Sequence, residues 1–131
     1  MPLLAVVGAH LLGQPLNHQL TDRGARLEAV TTTAPVYRLH ALVTDPPKPG
    51  LVRVAERGAA VEVEVWALGA AAFADFVDAV PAPLCIGRVV LDGGADVAGF
   101  LCEPLALAGA PDITSFGGWR AYLASPGGRP G

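Results

Sequence analysis

The sequence predicts an α+β fold dominated by strands: a small mixed β-barrel of about six or seven short strands with two or three short flanking helices. Three observations lead there. Hydrophobic residues make up 52% of the 131 residues and charged residues only 16%, enough apolar surface for a real core. Sixteen glycines and twelve prolines are spread along the chain as turns between short elements, not gathered into one tract. Alternation with a period of two recurs in several segments, whereas a helical period is clear in only one.

Residues 3–8 (LLAVVG) read as a buried strand, because they are short, apolar and closed by glycine. Residues 13–20 are expected to form a loop or short helical turn. In residues 26–33, Leu27, Ala29 and Thr31 alternate with Glu28, Val30 and Thr32, and three successive threonines favour a strand. Pro35 breaks it. Residues 36–43 resume with Tyr37, Leu39 and Ala41 on one face and Arg38, His40 and Leu42 on the other. DPPKPG, 45–50, predicts a turn or ordered extended loop, and 51–55 a short strand.

Residues 60–68 carry the cleanest alternation, with Val61, Val63 and Val65 opposing Glu62, Glu64 and Trp66. Residues 70–79 predict a helix. Phe73, Phe76, Val77 and Val80 share one face, Asp75 and Asp78 point away, and Pro81 and Pro83 end it. Residues 86–91, then DGGAD, then 97–102 predict a hairpin on a glycine turn. Thr114 or Ser115 would cap a last short helix running to 119–123. One domain, 1–124, is expected, followed by a flexible tail, 125–131.

The net charge of −3 argues against a general nucleic-acid surface. It is unevenly placed. Residues 1–60 hold six Lys/Arg against four Asp/Glu (+2), and residues 61–131 hold three against eight (−5), so a small anion is better served by the first half. Cys85 and Cys102 lie in apolar surroundings without metal spacing and read as buried free thiols. The N-terminal run lacks the basic flank of a signal peptide, and no stretch is apolar for long enough to span a bilayer, so a soluble cytoplasmic protein is expected. P-loop, GxGxxG, GxSxG and HExxH patterns are missing, so neither metal nor cofactor is expected.

Candidate chemistry concentrates in GAHLLGQPLNHQL, residues 8–20. His10 and His18 can act as acid, base or donor near neutrality. Asn17 and Gln19, beside His18, offer donors and acceptors, as recognition of a carboxylate or amide requires. A structural histidine bonded to backbone is the alternative for each. Glu62 and Glu64 share a strand face, and Glu64, next to Trp66, is the better pocket candidate, with a solvated face as the alternative. Lys48 and Arg53, in PPKPGLVR, sit near a proline-stiffened loop that presents a cation at low ordering cost; for Lys48 a plain surface turn is the alternative.

The blocks VVGAHLLGQPLNHQLTDRGARL, APVYRLHAL, PPKPGLVRV, VEVEVWAL, VPAPLCIGRVVL, GFLCE and DITSFGGWRAYL resemble, in order and spacing, the C-terminal domain of allophanate hydrolases. The likeness extends over nearly the whole chain. It implies a fold similar to the gamma-glutamylcyclotransferase-like proteins, in which a YGSNL-type loop after the first strand holds substrate through its backbone. The matching stretch is Val7, Gly8, Ala9, His10 and Leu11. The glutamate those enzymes carry after the helix has no counterpart in FVDAVPAPL, which argues against cyclotransferase activity.

The resemblance further implies breakdown of N-carboxycarbamate to ammonia and carbon dioxide in urea degradation, after an amidase domain has acted on allophanate. It points to His18, in PLNHQL, as the catalytic residue that supplies the proton. Asn17 and the backbone at Gly8, Ala9, His10 and Leu11 would orient one end of the substrate. Lys48, Arg38 or Arg53 would bind a carboxylate, and Glu64 would hold the histidine tautomer or a water. The expected partners are a small carboxylate or carbamate ligand, an amidase domain or subunit, and a second copy of the chain in a homodimer. A different class of function also fits: a non-catalytic module that binds a small carboxylate or amide, or assembles with an amidase, docking through GGWRAYL.

Overall fold

The computed structural model describes residues 1–126, so the expected tail lies, beyond Pro126, outside the described residues. Seven strands form two sheets, and three short helices flank them. The larger sheet has the order β2-β5-β1-β7-β6, from β1 (Leu3–Val6), β2 (Arg26–Thr32), β5 (Glu62–Ala67), β6 (Leu84–Val90) and β7 (Asp96–Cys102). β1 runs parallel to β7 and antiparallel to β5, while β2–β5 and β6–β7 are antiparallel. The hairpin of β3 (Tyr37–Leu42) and β4 (Lys48–Arg53) forms the second sheet. Single bridges, Thr33 to Leu91, Tyr37 to Ala59 and His40 to Asp112, join the parts.

β1 is apolar because it lies in the middle of the sheet, where Leu4, Ala5 and Val6 are wholly buried. β2 is an edge and is exposed along nearly all of its length. The DGGAD turn forms as expected, with Gly93 and Gly94 at positive φ. Helix α2 (Ala70–Asp78) buries Phe76 against the sheet. The expected turn at 45–50 is shorter than the sequence suggested, because β4 already begins at Lys48, paired with Leu42. That early start needs a bare backbone. A Cβ at Gly50 would come 2.7 Å from Cys102 Sγ, and one at Gly8 would come 2.2 Å from Pro49 Cδ. Thr114 does not cap the last helix, α3 (Trp119–Ala124). It is buried, and its hydroxyl donates to Asp112 and accepts from the Leu39 amide. Cys85 and Cys102 are free thiols; Cys102 is buried as expected, while Cys85 on β6 is only partly covered.

On β5 the solvated-face alternative fails, because the face that carries Glu64 and Trp66 is covered: Glu64 is 2% exposed and Trp66 3%. Glu64 Oε1 accepts from the Leu12 amide at 2.8 Å and from the Trp66 indole N–H at 3.1 Å, while Oε2 accepts from Arg120 at 2.8 Å. Arg120 also donates to Glu62 and to the Leu12 carbonyl. One carboxylate thus ties β5, the loop after β1 and α3 together. Desolvation opposes the guanidinium charge, but its hydrogen bonds to Glu64 and Glu62 outweigh this and raise its pKa.

Glu64→Ala leaves two N–H groups and a guanidinium short of an acceptor, so urea denaturation should show a loss of about 3–5 kcal/mol. Glu62→Ala, at a half-exposed pair, should cost under about 1 kcal/mol. Equal losses would show that Glu64 is no more than an ordinary surface charge.

Candidate functional site

The loop after β1 turns back on itself through Leu11 N–H to Gly8 and Leu16 N–H to Ala9, which directs the His10 side chain inward. Asn17 braces the loop, its Nδ2 donating to the His10 carbonyl at 2.8 Å. Helix α1 (His18–Thr21) follows as a single turn anchored by buried Leu20. The His10 ring stacks on Phe100 at 4.8 Å between centroids and meets the edge of Phe76 at 5.3 Å. Its Nε2 lies 2.8 Å from Gln19 Oε1, at hydrogen-bond distance.

His10 borders a cavity of about 190 Å³. Gln19, Arg23 and Lys48 complete the polar side, and Leu16, Phe76, Val80, Leu84 and Phe100 contribute apolar wall. His10, Lys48, Leu84 and Phe100 also border a smaller cleft beside Val7, Gly8, Ala9 and Pro49. Lys48 is only 9% exposed and has no acidic partner among the described residues. Arg23 is held by Asp75 (2.9 Å) and by the Gln19 carbonyl (2.8 Å), with its guanidinium 5.7 Å from the Phe76 ring centre. Among the described residues no aspartate or glutamate lines the cavity.

Burial pushes the His10 imidazole down from 6.5 to about 4. The charges of Lys48 and His18 push the same way, and the bond to Gln19 resists. His10 is therefore neutral at pH 7, and the fixed charge at the cavity is positive.

The structure gathers Gly8, Ala9, His10 and Lys48 from the expected set. Leu11 is wholly buried in the core, and Asn17 supports the loop from behind. His18 lies exposed at the start of α1, its Nδ1–H donating to the Pro15 carbonyl at 3.0 Å, and is not part of the cavity lining. Two of the three cations proposed for a carboxylate stand elsewhere. Arg38 pairs with Asp112 at 2.6 Å and also bonds to the Arg57 carbonyl. Against the cost of partial burial, hydrogen bonds from Arg38 and Thr114 hold the Asp112 carboxyl well below the usual carboxylate range. Arg53 is exposed at the far end of β4 from Lys48. Glu64 serves the frame, because its oxygens are taken by Leu12, Trp66 and Arg120.

Sequence reasoning missed Arg23, Phe76 and Phe100 as site residues, and weighed Gln19 for recognition without giving it a substrate contact. Gln19 and Arg23 are four residues apart, a helical spacing that places both on one side of the turn. The two phenylalanines come from α2 and β7 and carry no local signal. No cluster of three or more His, Cys, Asp or Glu among the described residues suits a metal ion. Nor is any described helix long and apolar enough to cross a membrane.

A family model described as the allophanate hydrolase C-terminal domain matches residues 2–124. The urea amidolyase of Saccharomyces cerevisiae is 44% identical over 125 residues, covering 92% of this chain and 7% of that protein. The chain therefore spans a small fraction of such curated relatives. The solved structure of Kluyveromyces lactis allophanate hydrolase superposes with a TM-score of 0.90 at 42% identity, over 93% of this chain and 21% of that one. A uropathogenic E. coli-specific protein gives 0.86 at 37% identity, over 93% and 94% of the two chains. A mouse AIG2-like protein, at 20% identity and a TM-score of 0.59 over 82% of each chain, shares the fold expected of gamma-glutamylcyclotransferase-like proteins.

The depressed imidazole has a consequence for stability. Between pH 6.5 and about 4 the unfolded chain binds a proton at His10 that the folded chain does not, so stability falls on acidification. The contribution is about 3 kcal/mol over that window. Urea denaturation of wild type and His10→Asn at pH 7 and pH 4 should show the variant gaining on wild type by that order as the pH falls. A constant difference would mean that His10 titrates normally.

Proposed function

Because the chain belongs to the allophanate hydrolase C-terminal domain family, we propose that its cavity takes N-carboxycarbamate and strips carbon dioxide from it, as a step of urea degradation. The observation that carries this reading is a small cavity with two cationic side chains, one neutral imidazole and no carboxylate. Such a site suits a compact dianion.

Lys48, without an acidic partner, takes one carboxylate. Arg23, oriented by Asp75 and the Gln19 carbonyl, faces the other with its remaining N–H donors. A bound dianion beside His10 offsets the burial penalty and favours the imidazolium, so the substrate draws in the proton that the reaction needs. The C–N bond to one carboxylate then breaks, its electron pair returns to nitrogen, and His10 gives that nitrogen the proton. Carbon dioxide leaves and carbamate remains. A second proton on nitrogen, with loss of the second carbon dioxide, yields ammonia.

The resemblance assigned the proton to His18. Its exposed position favours His10 for that part, with His18 as the control. The substrate decays in water, so the partner this reading requires is an amidase, joined to the domain or bound by it.

The test uses N-carboxycarbamate made fresh under alkaline conditions, with carbon dioxide release followed on transfer to pH 7.5. His10→Asn should lower kcat by about 100-fold or more, the contribution of a positioned acid. Lys48→Met should raise KM by about 10- to 100-fold, the worth of a charged hydrogen bond. His18→Ala should change neither. Loss of turnover in His18→Ala with His10→Asn intact would move the chemistry to His18. Tight binding of malonate without any acceleration by wild type would leave a binding module in place of an enzyme.

A further inference from the structure

The Gln19 carboxamide is committed at one end. Its Oε1 lies 2.8 Å from Nε2 of His10, and its backbone carbonyl accepts Arg23 Nη1 at 2.8 Å. The His10 ring is clasped between Phe100 and Phe76 and is only 7% exposed, so it has little room to reorient. Around it stand Lys48 from β4, His18 and Arg23 from α1 and the turn after it, and Asp75 of α2, whose carboxylate is engaged by Arg23. Lys48 and Arg23 are donors only, and neither can accept a proton from Nε2. Among the described residues the hydrogen bond of the His10 ring is the one to Gln19.

We propose that Gln19 is a positioning residue: it holds His10 as the Nε2–H tautomer, so that Nδ1 is the nitrogen that takes up a proton and hands it on, and it turns its own NH2 group to the cavity as a donor for a carboxylate. With Nε2 already protonated and bonded, the lone pair left on the ring is at Nδ1. Gln19 lines the cavity, so the same amide that fixes the ring offers its other end to the ligand. This inference rests on the proposed decarboxylation for its use, though not for its test.

Nitrogen-15 NMR of the histidine side chains in wild type reads the tautomer directly, with or without turnover. Nε2 of His10 should give the protonated signal and Nδ1 the unprotonated one at pH 7. Gln19→Glu keeps an acceptor on Nε2, so the tautomer should persist. A carboxylate there favours the imidazolium, so the His10 titration and the acid limb of the pH–rate profile should both move up in pH. Malonate, whose methylene replaces the nitrogen of the substrate, should bind that variant more than tenfold more weakly. Gln19→Leu should release the tautomer to a mixture and lower kcat more than it raises KM. An Nδ1–H tautomer in wild type overturns the proposal, as does an unchanged tautomer and pH profile in Gln19→Leu. Absence of turnover in wild type with the Nε2–H tautomer confirmed would instead count against the proposed reaction alone.

Discussion

The position of the His10 loop depends on one buried carboxylate. A loop that leaves a central strand and folds back on the protein needs acceptors for the amides it turns toward the sheet. Glu64 provides one from the neighbouring strand, accepting the Leu12 N–H two residues beyond His10. Its charge is matched by Arg120, whose own donor reaches the Leu12 carbonyl. The loop is therefore gripped at one residue from both its donor and its acceptor sides. A buried ion pair gives little net stability over an apolar replacement, but breaking half of it is expensive, so its effect is to fix one arrangement.

With the loop fixed, the electrostatics of the cavity follow from what is left unpaired. Elsewhere in the described chain, Arg38 meets Asp112, Arg88 meets Asp96 and Arg120 meets two glutamates, while Arg26, Arg53 and Arg57 have no ion pair but are exposed to water. Among the described residues Lys48 is the cation that is both buried and without an acid. A charge held in that state costs stability that a bound anion would restore. The neutral His10 belongs to the same balance, since a second positive charge beside Lys48 would deepen the deficit. An anion reverses both effects together, which links ligand binding to proton uptake.

Much of this was legible in the sequence, and what was not has physical reasons. The strands and α2 follow from periodicity, because alternation records burial on one face. On β5 the alternation leaves open whether Glu64 and Trp66 are covered or solvated; both faces of this inner strand are covered, and Glu64 is used by the frame through partners that the local pattern does not reveal. The 8–20 block, singled out in the sequence, supplies His10, Leu16 and Gln19 to the cavity wall. Which of its histidines turns inward depends on the Leu16–Ala9 and Asn17–His10 hydrogen bonds, and these record tertiary geometry, not residue type. Arg38 and Lys48 were equally basic in sequence. They are separated by partners, since Asp112 lies 74 positions from Arg38 and no spacing rule connects them.

The delivery of Lys48 shows how far a site can be encoded by side chains that are absent. β4 reaches the His10 loop and β7 only because Gly8 admits the Pro49 ring and Gly50 admits Cys102 Sγ. Each contact would be blocked by a single Cβ carbon. Pro49 follows Lys48 directly, so the close approach at Gly8 pins the backbone next to the lysine and limits the ways its side chain can leave the cavity. The pinning groups are two glycines and a proline, residues that sequence reading assigns to turns. Here they lie at packed positions on β4 and in the loop just after β1, and the chemistry they position is a cation with nothing but the cavity to face.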